Sequence, residues 1–224
     1  FKGMEEQLRS GWGALLKPLA WQGALCYGPS PSSKATFTHP ASLLKNWNGL
    51  PDPAEAAPAV IKRYLSAYGP ATPETFDAWL SRNSNKKSTL RGWFASLGEQ
   101  LVEVRVEGET RYLLAEHEHE LAATRPSYAT HLLGAFDQFV LGPGTKDTHM
   151  LANEHRSLVS KAAGWIAPVL TRGGRITGVW HMDDGNLVVT PFPSEQAPPP
   201  NVLEDAAARL ATVHGSVKVA PRVD

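Results

Sequence analysis

The chain has 224 residues and carries 22 lysines and arginines against 22 aspartates and glutamates, a formal net charge of zero. That balance excludes a protein that coats DNA through bulk charge, so any nucleic-acid contact must come from a local basic patch. One cysteine, Cys26, excludes an internal disulfide framework and a cysteine-only zinc site and fits a reducing compartment such as the cytoplasm; no apolar run approaches the ~20 residues that span a bilayer, and no signal-peptide pattern opens the chain.

The first part, residues 1–50, starts with MEEQLRSGWGALLKPLAWQG. Leu8, Trp12, Leu15 and Leu16 lie on one side of a helix there, and Pro18 is expected to disturb its end. ALCYG and KATFTH read as short strands around the loop Pro29-Ser30-Pro31-Ser32-Ser33, a wing-like hairpin with Lys34 beside the loop. This is the back half of a winged-helix domain whose other helices belong upstream, and an opening Phe1 without an initiator Met agrees with a fragment or a processed chain. Trp47, in the linker that follows, is the tryptophan whose exposure is of interest.

Residues 51–118 read as a complete winged helix. In DPAEAAPAVIKRYLSAYG the residues Val60, Ile61, Tyr64, Leu65 and Tyr68 recur at helical spacing, and Gly69-Pro70 stops the run. In TPETFDAWLS, Thr72 is placed as N-cap and Pro73 as first helical residue, with Phe76, Trp79 and Leu80 as the buried stripe. After the polar turn Arg82-Asn83-Ser84-Asn85, the segment KKSTLRGWFASLG puts Leu90, Trp93, Phe94 and Leu97 on one face. LVEVRV, the turn Glu107-Gly108-Glu109 and TRYLL then alternate as a hairpin does. Helices followed by a hairpin commonly mount a duplex-reading helix. Lys86, Lys87, Thr89 and Arg91 stay off the apolar stripe of the third helix. With Asn85, the hairpin residues Arg105 and Arg111, and Lys34, they are the candidate contacts to double-stranded DNA. The same cations also fit an ordinary solvated helix face.

AEHEHELAATRPSY is a polar connector, and residues 126–224 are strand-rich: HLLGAFDQFVL, GWIAPVLTRGG, RITGVWHMDDG and NLVVTPFP, with turn signals at Gly173-Gly174 and Asp184-Gly185. EDAAARLATVHG is a helix packing through Leu203, Ala207 and Leu210, with Gly215 as its cap. The expected fold class is therefore α+β: tandem winged-helix modules, the first incomplete, then a small, barrel-like β-rich domain.

Other chemistry is sparse. Asp137, inside an apolar strand-like run, is the best carboxylate for activating water, and the plainer role for it is to accept backbone hydrogen bonds. His117 and His119 would share a face of a strand and could approach a metal, although an alternating charge run more often stays solvated. The GPG at 142–144 lacks the Lys-Ser/Thr of a phosphate loop. Cys26 is expected to pack beside Tyr27. Trp79, Trp93, Trp165 and Trp180 are assigned to the core rather than to base stacking. No catalytic residue, metal ligand or cofactor site is assigned.

LLKPLAWQGALCYGPSPSSKATFTHP, HLLGAFDQFVLG and GWIAPVLTRGGRITGVW resemble the bacterial winged-helix DNA glycosylases of the AlkZ-like and YcaQ-like family, and FDQFVLG with GWIAPVL and GRITGVW is the most specific part. The resemblance covers essentially the whole chain. It implies tandem winged helices before a β-rich domain, excision of alkylated bases and unhooking of interstrand cross-links. It also implies a catalytic Gln-x-Gln or Gln-x-Asp near the start of the first winged helix. The glutamines here are Gln7, Gln22, Gln100, Gln138 and Gln196, none in such a pair. The sequence thus points to a DNA-binding member of that family, without its excision centre and with an N-terminal winged-helix region of the same protein as its missing partner. A winged-helix transcription regulator and a non-catalytic interaction module are the alternatives.

Overall fold

The computed structural model describes residues 16–30, 32, 34–183, 186–214 and 222–223. The chain parts into two compact units, Phe1–Ala56 and Ala57–Asp224. Among the described residues no helix is long and apolar enough to cross a membrane.

In the first unit, helix α1 (Lys17–Trp21) carries Pro18 in its first turn. Pro18 therefore begins a helix rather than disturbing the end of one, because a first-turn amide has no intrahelical acceptor to lose. The apolar stripe at Leu8, Trp12 and Leu15 lies outside the described residues. Strands β1 (Cys26–Tyr27) and β2 (Phe37–Thr38) pair antiparallel, Cys26 opposite Thr38 and Tyr27 opposite Phe37. The expected hairpin is present. Trp47 is half-buried and lies against Gly23, whose φ of +70° needs a residue without Cβ.

Helix α2 (Pro53–Tyr68) is followed by α3 (Pro73–Ser81), α4 (Lys87–Ala95) and the hairpin β3 (Leu101–Val106) and β4 (Glu109–Leu114). Helix α3 starts as its sequence dictates. The Thr72 hydroxyl accepts the Thr75 amide at 3.1 Å, and Thr75 Oγ1 accepts the Thr72 amide at 3.0 Å. Ile61, Tyr64, Leu65, Phe76, Leu90, Phe94, Leu97 and Leu114 fill the core between the helices and the hairpin. Each such burial is worth about 1.5–3 kcal/mol. Phe76 meets Tyr64 and Phe94 edge-on, with ring centroids 5.3 and 5.7 Å apart.

Two expectations for this module need correction. Trp79 and Leu80 are 40% and 44% exposed, and the buried neighbour of Phe76 is instead Asp77. Trp79 lies at the rim of the core, against the rings of Tyr64, Tyr68 and Phe76. The hairpin turn is Glu107-Gly108, with φ of 47° and 89°, and Glu109 already pairs with Val106 in β4. A two-residue turn with both φ positive matches the right-handed strand twist, which a three-residue loop would not need to do. On its other side β4 gains a short bridge: the Ala71 and Tyr112 amides donate to each other's carbonyls at 3.0 and 2.8 Å.

Past α5 (Glu118–Ala123), a five-stranded sheet runs in the order β5 (Thr130–Leu133), β6 (Val169–Arg172), β7 (Arg175–Asp183), β8 (Asn186–Pro191), β9 (Arg222–Val223). All neighbours are antiparallel except β8 and β9. One face packs on α8 (Pro200–His214), with Leu203, Ala206 and Ala207 against Leu132, Leu170, Trp180, Leu187 and Val189. The other buries Val169, Ile176 and Phe192 with Val140, Met150, Leu151 and Val159 from α6 (Gln138–Leu141), α7 (Arg156–Val159) and their loops. The turn at Gly173-Gly174 is as expected, while Asp184-Gly185 and Gly215 lie outside the described residues.

HLLGAFDQFVL is not one strand. Strand β5 ends at Leu133, and Asp137 caps α6 by accepting the Phe139 amide at 2.8 Å. This is the backbone hydrogen bond expected of its plainer role. Trp165 is 52% exposed in a loop before β6, its ring edge-on to Phe136 at 4.9 Å, so it is not sheet packing. His117 and His119 sit on a helical run, where residues two apart diverge, and His117 faces Glu120 at 3.4 Å.

The sheet and the helical module are joined within the second unit. Tyr68 Oη donates to Gln138 Oε1 at 3.2 Å, and the Tyr64 hydroxyl lies 3.4 Å from the Gly142 carbonyl. At the hairpin tip, Glu107 meets His149 Nδ1 at 2.8 Å and Arg175 at 3.0 Å. The distinctive FDQFVLG segment thus supplies one of the junctions between the two layers.

Candidate nucleic-acid interface

Residues 78–98 contain four cations, Arg82, Lys86, Lys87 and Arg91, and no carboxylate. In a chain of zero net charge this is a local basic patch of the kind phosphate contact needs. Helix α4 carries Lys87 in its first turn and Lys86 as N-cap, with no acid there and no side-chain cap. Cations at that end oppose the helix dipole, and Lys is a poor N-cap. The amides at the helix start thus keep an electropositive face next to two ammonium groups, an arrangement suited to an anion. All four cations and Thr89 are exposed, and among the described residues none of the four is ion-paired. The Arg91 Nε–H donates to the Lys87 backbone carbonyl at 3.3 Å, which holds the Arg91 side chain back along α4.

The remaining sequence candidates separate. Arg105 is exposed on β3 and donates to Thr110 Oγ1 at 2.9 Å. Lys34 is exposed in the hairpin loop of the first unit. Asn85 is half-buried, its amide nitrogen donating to Asp77 Oδ1 at 2.7 Å and to Ser81 Oγ at 3.1 Å. Arg111 does not fit its expected role. It is 8% exposed and held by Glu109 at 2.8 Å, Asp147 at 3.3 Å and the Pro70 carbonyl at 3.4 Å. Alternation along β4 turns position 111 inward, and a guanidinium there must be paired. Burial disfavours its charged form, but Glu109 and Asp147 outweigh that and hold Arg111 above the ordinary guanidinium value.

Sequence reasoning missed one cation of the patch and the buried acid bonded to its turn. Arg82 lay in plain view as part of a polar turn. Asp77 could have been found from its spacing, since Ser81 and Asn85 follow it at four and eight residues and no further acid occurs before Glu99. A polar cleft of about 420 Å3 opens beside this turn, lined by Glu74, Asn83, Glu107, Lys146 and His149 among others. Among the described residues no three His, Cys, Asp or Glu side chains are grouped so as to hold a metal.

A mixed helix-and-sheet protein with a basic helix face is the class this geometry defines. The chain belongs to the AlkZ-like DNA glycosylase family, whose model, DNA glycosylase AlkZ-like, matches residues 2–213. It is 55% identical over 224 residues to the interstrand DNA cross-link repair glycosylase of Streptomyces sahachiroi, a match covering all of this chain and 60% of that protein. The solved structure of Streptomyces sahachiroi DNA glycosylase AlkZ is similar throughout, with a TM-score of 0.92 at 55% identity, over all of this chain and 61% of that one. The chain thus spans about three-fifths of the length of the relative it matches.

Proposed function

We propose that this chain grips duplex DNA as part of a winged-helix DNA glycosylase acting on alkylated or cross-linked bases. Residues 51–118 form a winged helix that presents α4 to the duplex, residues 1–50 contribute the hairpin of a further winged helix, and residues 126–224 form the β-rich domain. The observation that carries this reading is the acid-free run 78–98, with Arg82, Lys86, Lys87 and Arg91 exposed on α4 and its preceding turn. The cross-link repair activity in the name of the Streptomyces relative favours a cross-linked or alkylated duplex as substrate class. The chain by itself is expected not to excise, because no Gln-x-Gln or Gln-x-Asp occurs among its residues and Asp137 caps α6.

Charge reversal tests the grip. Lys86→Glu, Lys87→Glu and Arg91→Glu together are expected to weaken duplex binding more than Lys17→Glu with Lys45→Glu. They are also expected to flatten the salt dependence, each lost phosphate contact removing about 0.9 from the logarithmic slope. Equal losses from the two sets would mean that only net charge matters, and this reading would fail.

A further inference from the structure

We infer that Asp77 is a positioning residue for DNA contact: its buried carboxylate sets the turn that aims Arg82, Lys86 and the start of α4. The inference rests on the reading that α4 faces the duplex.

Asp77 is 2% exposed and has no cationic partner among the described residues. A buried carboxylate is unfavourable unless hydrogen bonds replace its water. Here they do, and every one comes from the last residue of α3 or the turn that follows it. Ser81 Oγ donates to Oδ1 at 2.5 Å, the Asn85 side-chain amide to Oδ1 at 2.7 Å, and the Asn85 backbone amide to Oδ2 at 3.3 Å. The Asp77 carbonyl accepts the Arg82 and Asn83 amides, and Ser81 Oγ accepts the Ser84 amide at 3.0 Å. All backbone N–H groups of residues 82–85 are thus satisfied by Asp77 directly or by the serine it holds.

That turn needs holding. Arg82 and Asn83 both adopt left-handed backbone, with φ of 58° and 64°. Two successive non-glycine residues there are strained and persist only where their surroundings over-determine them. The strained pair reverses the chain directly into Lys86, whose side chain caps nothing and remains exposed. Asp77 ties only the segment that carries the cations, and it fixes where they stand before DNA arrives, which lowers the ordering cost of binding.

The test compares Asp77→Ala, Ser81→Ala and the triple reversal Lys86→Glu, Lys87→Glu, Arg91→Glu in the full chain. Each is titrated with a fluorescent duplex across a salt series at a temperature where its melt shows it folded. Asp77→Ala is expected to weaken binding about tenfold and to lower the salt slope by roughly one, as when one phosphate contact is lost. Ser81→Ala, which withdraws one donor from the carboxylate and the acceptor of the Ser84 amide, should move both quantities the same way by less. A purely structural Asp77 would lower the melting temperature and leave affinity and slope of the folded protein unchanged; that result overturns the inference. Should Asp77→Ala not fold, Ser81→Ala decides by the same readout. If the triple reversal leaves binding unchanged, the α4 reading itself fails, and the inference falls with it. If the triple reversal weakens binding and neither the Asp77 nor the Ser81 variant does, only the positioning role is lost.

Discussion

The ring of Tyr68 fills the space that a Cβ on Gly142 would need. Helix α2 and the end of α6 approach this closely because position 142 has no side chain, and Tyr68 Oη then reaches Gln138 at 3.2 Å. Gly142→Ala is expected to push the ring out and destabilise the second unit by about 1–3 kcal/mol, the usual cost of overpacking. Urea unfolding of the variant checks this. A midpoint equal to that of the parent would show that the ring moves aside freely.

Arg111 and Asp147 are both nearly covered, with side chains 10% and 6% exposed. Arg111→Ala leaves the Asp147 carboxylate buried beside an empty site and should cost about 3–5 kcal/mol. Duplex affinity of the folded variant should change little, in contrast to Lys87→Glu. A double-mutant cycle with Asp147→Asn measures the coupling, and additive effects would mean that the pair contributes nothing as a pair.

Alkaline pH should loosen the second unit. Burial raises the Tyr64 phenol above its ordinary value of 10.0, with nearby Asp147 adding to it, and burial beside Glu103 raises Tyr112 in the same direction. The folded state then holds these protons more tightly than the unfolded one, so stability falls as pH rises from about 10 through the folded-state values. Below the ordinary phenol value the contribution is fully present. Chemical denaturation at a series of pH values should show this decline, and Tyr64→Phe with Tyr112→Phe should reduce it. An undiminished decline in the double variant would place the alkaline sensitivity elsewhere.

The chain alone should release no base from duplex DNA carrying N7-alkylguanine. Its glutamines are isolated from one another in sequence, and the best carboxylate, Asp137, accepts the Phe139 amide at 2.8 Å. Alkali cleavage of the resulting abasic sites is the assay. Release proportional to protein concentration through stringent purification would refute the expectation and make Asp137→Asn the next variant to measure.

Local chemistry was readable without a fold. Thr72-Pro73 starts a helix wherever it occurs with that apolar spacing, Gly173-Gly174 turns a hairpin, and Leu90, Phe94 and Leu97 mark one helix face, because caps, turns and periodicity act within a few residues. The family, too, was legible in FDQFVLG, GWIAPVL and GRITGVW. The cationic residues of α4 were identified correctly as exposed, since four polar positions off an apolar stripe have nowhere else to go.

What the tertiary structure decided are the residues whose role depends on partners far along the chain. Trp79 and Trp165 read as core, yet both are exposed, one against the rings of Tyr64, Tyr68 and Phe76 and the other against Phe136. Arg111 reads as a surface cation and becomes an internal bolt, because Asp147, 36 residues away, arrives beside it. Asp77, which is not among the sequence candidates, becomes the buried anchor of the basic turn. Sequence by itself determines which faces are apolar and where helices start; only packing decides which charges are left to meet a ligand and which are consumed in holding the protein together, since that depends on what each charge finds within about 4 Å once the chain has folded.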